Sequence, residues 1–176
     1  MRISPPRNGA TDRHKTFFIA SDVKIFGGFS GSETMSSQRN WNTHPTILSG
    51  DIGAVNDISD NAYHVVWIEG CNSAMELDGF TITKGKLHFN AAVANAGAGI
   101  YNNAANHNST PTIRNCIITG NEGATNTIGA GMYNHGHYYN ASPTMIDCTF
   151  SNNTAPGNSN GGAMYNVQSS PTIRNS

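Results

Sequence analysis

Along the C-terminal half of the chain, apolar positions recur in short alternating runs and never at helical spacing. In Thr112-Ile113-Arg114 the isoleucine is flanked by polar residues. The two-residue period of a strand turns it inward and its neighbours outward. The pattern returns at Thr144–Ile146 and at Thr172–Arg174. A second run, GAGIYN at Gly97–Asn102, returns as GAGMYN at Gly129–Asn134 and GGAMYN at Gly161–Asn166, each copy 32 residues after the last. This spacing predicts Ile100, Met132 and Met164 inside, with Tyr101, Tyr133 and Tyr165 outside. Self-similarity at such a period marks stacked coils.

The alignment extends upstream. Leu77–Gly85 matches Ile113–Asn121 position by position. Leu77, Ile113, Met145 and Ile173 then form one apolar column. Phe80, Cys116, Cys148 and Ser176 form a second, and Ile82, Ile118 and Phe150 a third. Between the first two stand Gly79, Asn115, Asp147 and Asn175, residue types that tolerate the left-handed backbone of a sharp bend. Phe17–Phe29, Pro45–Gly50 and Tyr63–Gly70 read as earlier strands, and Gly31–His44 as an excursion over the coil. With no helical period to supply crossovers, the pattern predicts an all-β chain. Its expected form is a single right-handed parallel β-helix of roughly five coils. Residues 1–16 read as an irregular N-terminal segment and 17–176 as the β-helix. Coils with long loops fill 17–96, and regular repeats fill 97–176. The last unit stops at PTIRNS, where earlier copies continue as CIITGN and CTFSNN, so a segment of a longer chain is expected.

Composition narrows the function classes. Charged residues make up 12% of the chain and the formal net charge is −1, which leaves no basic footprint for nucleic acid or an anionic membrane. No apolar stretch approaches the length of a membrane span, and the N-terminus lacks the apolar core of a secretory signal. Cys71, Cys116 and Cys148 match no metal spacing. The last two are expected as stacked interior thiols, with a bridge between coils as the alternative.

The pattern GG[AG]-[IM]-Y-N followed by SPTI-x-[ND]-C-x-[IF]-x-x-N resembles the right-handed β-helix repeats of bacterial surface proteins, which have the pectate-lyase-like superfamily fold. The polymorphic outer-membrane protein repeats are among them, and Gly161–Met164 (GGAM) and Phe150–Asn153 (FSNN) fit their signatures. The resemblance covers most of Phe17–Ser176. It implies secretion or display at a bacterial surface or outer membrane, and it carries over no catalytic residue.

Candidate chemistry is sparse. The outward Tyr101, Tyr133 and Tyr165 are the leading ligand-contact residues, with His135, His137, Tyr138 and Tyr139 at their edge. The plainer reading is an aromatic stack that steadies the sheet. Asp51, Asp57 and Asp60 place three carboxylates in one loop, a weak calcium candidate, with solvated turn acids as the alternative. Glu76 and Asp78 share one strand face, but their equivalents in later coils are not acidic, so no acidic line runs along the helix. Asn134–His137 carries a Gly-His pair without the acids that hydrolysis would need. The expected function is a non-catalytic, secreted or surface-displayed stalk with an adhesive or glycan-contacting face. Its expected partner is a glycan or a surface protein, with nothing in the sequence to indicate an oligomer. The alternative is part of a polysaccharide lyase or glycoside hydrolase whose active site lies largely outside this segment.

Overall fold

A computed structural model describes residues 2–3, 13–88 and 95–176, the first two through their backbone. Most of the N-terminal segment expected to be irregular falls outside the described residues, although Arg2–Ile3 forms a short strand, β1. The chain then winds through β2 (Phe17–Ile19), β3 (Lys24–Phe26) and β4 (Thr46–Ser49). A second coil holds β5 (Val66–Glu69), β6 (Glu76–Asp78) and β7 (Phe80–Thr83). The third holds β8 (Ile100–Asn103), β9 (Thr112–Arg114) and β10 (Ile117–Thr119). The fourth holds β11 (Met132–His135), β12 (Thr144–Ile146) and β13 (Thr149–Ser151), before β14 (Met164–Val167) and β15 (Thr172–Arg174). Corresponding strands pair in parallel, giving sheet A (β1-β4-β7-β10-β13), sheet B (β2-β5-β8-β11-β14) and sheet C (β3-β6-β9-β12-β15). This is a parallel β-solenoid, as the repeat predicts. Its coil count among the described residues falls slightly below five.

Register follows the predicted columns. Leu77 pairs with Ile113, Ile113 with Met145 and Met145 with Ile173. Ile82, Ile118 and Phe150 align in sheet A, and Ile100, Met132 and Met164 in sheet B. Leu77, Ile82, Ile100, Ile113, Ile118, Met132 and Met145 are all 0% exposed, so these columns are the core. Burying each such side chain contributes about 1.5–3 kcal/mol relative to leaving it in water. A one-residue slip would move a whole column to solvent, which fixes the register.

The bend column also lies where the sequence places it. Gly79, Asn115, Asp147 and Asn175 have φ of 82°, 50°, 52° and 51°, the left-handed region. Asn115 N–H still donates to the Ile146 carbonyl at 3.0 Å, so the chain turns from sheet C to sheet A without leaving the ladder.

Two polar ladders run through this interior. Asn102 Nδ2 donates to Asn134 Oδ1 at 3.0 Å, and Asn134 Nδ2 to Asn166 Oδ1 at 2.8 Å. Ser109 completes the top rung, its hydroxyl donating to Asn102 Oδ1 at 2.6 Å. At the corner after sheet A, Asn121 Nδ2 donates to Asn153 Oδ1 at 3.0 Å. Asn102, Asn134, Asn121 and Asn153 each donate to a neighbouring coil and accept in turn, which offsets the cost of burying them.

Cys71, Cys116 and Cys148 are buried free thiols. Cys116 Sγ reaches the Leu77 carbonyl at 3.6 Å and Cys148 Sγ the Ile113 carbonyl at 3.5 Å. Burial pushes both thiols up, away from the reactive thiolate.

Candidate functional site on sheet B and its rim

Alternation in β5, β8, β11 and β14 sends every second residue outward, and parallel register stacks those residues in two columns. The first column holds Trp67, Tyr101, Tyr133 and Tyr165, with Phe18 of β2 in register beside Trp67. Ring centroids are 4.5 Å apart for Trp67–Tyr101, 5.3 Å for Tyr101–Tyr133 and 6.1 Å for Tyr133–Tyr165. The three tyrosines named from sequence therefore form one ladder. Trp67 stacks on Tyr101 and Tyr133 on Tyr165, the Tyr101 and Tyr133 planes are tilted by 53°, and Tyr133 is only 7% exposed. Burial is the main cause that pushes the Tyr101 and Tyr133 phenols up, with the neighbouring phenol second in each case. His64, buried at the foot of the ladder, sets its ring edge-on to Trp67 and Tyr101 and its Nδ1 3.0 Å from the Gly97 carbonyl.

The second column holds Glu69, Asn103, His135 and Val167. Glu69 Oε2 accepts from Trp67 Nε1 at 3.0 Å and from Asn103 Nδ2 at 3.2 Å. Asn103 therefore turns its amide oxygen to His135 Nδ1, 3.2 Å away. An amide oxygen only accepts, so His135 carries its proton on Nδ1 and shares it with the Tyr101 hydroxyl oxygen, also at 3.2 Å. The chain from carboxylate through amide to imidazole fixes one tautomer and locks the Glu69 rotamer. Burial holds the His135 imidazole below its ordinary value, and the adjacent His137 adds to the effect.

At the rim the rings open to solvent. Tyr138 is 83% exposed and packs edge-on against His137 at 4.0 Å. Tyr139, 45% exposed, stacks on His107 at 6.3 Å. His137 and Tyr138 adjoin the ladder through His135, whose ring lies 6.3 Å from that of His137. Trp67, Glu69 and Asn103 are missing from the sequence reading, although Val66-Trp67-Ile68-Glu69 shows the same alternation as Ile100–Asn103.

The loop acids do not converge. Asp51 Oδ2 accepts from Lys84 Nζ at 2.8 Å, and the Asp51 side chain is 1% exposed. Asp57 Oδ1 accepts from the Ser59 hydroxyl and backbone N–H, at 2.7 and 2.9 Å. The hydroxyl first and the amide second hold its carboxyl low. Asp60 Oδ2 accepts from Ala54 N–H at 2.6 Å. Among the described residues no three His, Cys, Asp or Glu side chains gather as a group able to hold a metal ion.

Glu76 and Asp78 share the outer face of sheet C, and both are engaged. Glu76 meets Lys24 at 3.0 Å and Arg114 at 3.6 Å. Asp78 pairs with Arg39 and accepts from Asn115 Nδ2 at 2.7 Å. Arg39 comes from the Gly31–His44 excursion, its guanidinium 4.8 Å from the Phe26 ring centre and 5.0 Å from that of Trp41.

No family model, curated protein or solved structure matches the chain. Among the described residues no helix is long and apolar enough to cross a membrane.

Proposed function

We propose that the chain is a non-catalytic segment of a secreted or surface-displayed protein, a stalk whose sheet B rim forms an adhesive, glycan-contacting face. The observation that carries this reading is the division of labour among the aromatic rings. Those of the ladder pack on each other and stiffen the rod. Those at the rim, Tyr138 above all, keep theirs open to a partner. The engaged acids of sheet C favour the same reading over the enzymatic alternative. Glycoside hydrolysis needs one carboxyl to deliver a proton and a second to act as base or nucleophile, and on sheet C both Glu76 and Asp78 face a cation.

Glycan-array binding of the intact chain tests the proposal. Binding is expected to fall at least about tenfold in Tyr138→Ala/Tyr139→Ala, with thermal unfolding unchanged, because both rings are exposed. Failure to bind any glycan, or release of reducing or unsaturated sugar ends from polysaccharide, would refute it.

A further inference from the structure

Where the chain leaves β5, the surface sinks into a cleft of about 460 Å³ lined by Ala20, Glu69, Gly70, Asn106 and His107. Glu69 is held in place on one side only. Trp67 Nε1 and Asn103 Nδ2 both bond to Oε2, while Oε1 has no partner among the described residues and remains open to solvent. Opposite stands His107, exposed and backed by the Tyr139 ring. Gly70, with φ of 62°, leaves the floor between them clear, since even a β-carbon there would come only within 3.7 Å of His107. Asn106 adds an amide at the lip.

The geometry points to a binding subsite for one neutral sugar unit of a glycan. A fixed carboxylate oxygen without a donor calls for hydroxyl hydrogens. The His107–Tyr139 wall offers a flat apolar surface to the ring hydrogens of a sugar, and the Asn106 amide can donate and accept. Among the described residues no lysine or arginine lines the cleft, and the one formal charge there is negative, so a uronate, sulfate or phosphate group is repelled. Asn103 and His135 act as positioning residues through the hydrogen-bonded chain that holds Glu69. The inference rests on the glycan-contacting reading, but it commits to a place and a ligand class of its own.

Calorimetric titration of the intact chain with three probes tests it: neutral gluco-, galacto- and manno-oligosaccharides, oligouronates, and chitosan oligomers. The expected result is binding of a neutral oligosaccharide, weakened at least about tenfold in both Glu69→Gln and His107→Ala. His107→Ala removes an exposed ring and is expected to leave the unfolding temperature unchanged, so it remains a fair test if Glu69→Gln folds poorly. Equal binding to wild type and His107→Ala overturns the subsite, as does a preference for oligouronates or chitosan. If binding survives Glu69→Gln and His107→Ala but falls in Tyr138→Ala, the subsite fails while the rim reading stands. If no probe binds the wild type, both fail.

Discussion

Asn134 is an amide at 0% exposure beside a core built mainly from aliphatic side chains and thiols. It is stable there because Asn102 and Asn166 complete its hydrogen bonds from the coils on either side. Asn134→Ala is expected to cost about 1–3 kcal/mol, since it leaves buried amide groups with fewer partners. Urea unfolding measures that loss, and an unchanged midpoint would deny the ladder any role in stability. Arg39 and Asp78 pose the charged version of the same question, with side chains 11% and 4% exposed. Removing one partner of a buried pair costs about 3–5 kcal/mol, whereas replacing both with apolar groups often costs little. Arg39→Ala is thus expected to destabilise more than Arg39→Met/Asp78→Leu, and chemical denaturation of the two variants decides it. His135 supplies a pH signature. Its folded pKa lies below the ordinary 6.5, so the unfolded chain takes up the proton first as pH falls. The stability it contributes is present above about pH 6.5 and is lost downward from there toward the folded pKa. Denaturation midpoints at pH 7.5 and 5.5 should differ less in His135→Gln than in the wild type.

At the scale of elements, strands of three or four residues carry little stability alone, and each is defined by its neighbours above and below. That is why so much of the fold can be read in one chain. The Leu77–Ile113–Met145–Ile173 column needs no three-dimensional information beyond repetition, and neither does the bend column. The candidate site was less legible. Tyr101, Tyr133 and Tyr165 stand in near-identical repeats, but their continuation into Trp67 and Glu69 falls in a coil with different loops. There the residue types change while the alternation persists. The interior asparagines were hidden for another reason: hydrophobic patterning assigns amides to loops, and only stacking lets an amide find its own kind inside. The pairing of Arg39 with Asp78 joins residues 39 positions apart through an irregular excursion, which no periodicity reports.

As a whole, the molecule is a rod built by winding, with three sheets sharing one interior. Interactions pass only between adjacent coils, so stability accumulates along the axis. Neighbouring strands in a sheet lie about 4.7–4.9 Å apart, so each column of side chains is a line of that pitch. On sheet B the line of rings and the line of Glu69, Asn103 and His135 run side by side along the axis. The outer face thereby changes from a carboxylate through an amide to an imidazole over three coils.

The 32-residue register between β8, β11 and β14 sets how the rod answers to mechanical force. Tension applied at the chain termini loads one coil at a time, because each coil is fastened only to the next. Each released repeat of 32 residues lengthens the tether by about 10–11 nm at roughly 3.3–3.6 Å per residue. Optical-tweezer traces should therefore show a staircase, with equal steps for the 32-residue repeats and a longer one for the coil between Phe17 and Val66, where a globular domain of the same length would give a single rupture. A tether anchored through such a rod would pay out slack coil by coil and rewind when the load is removed.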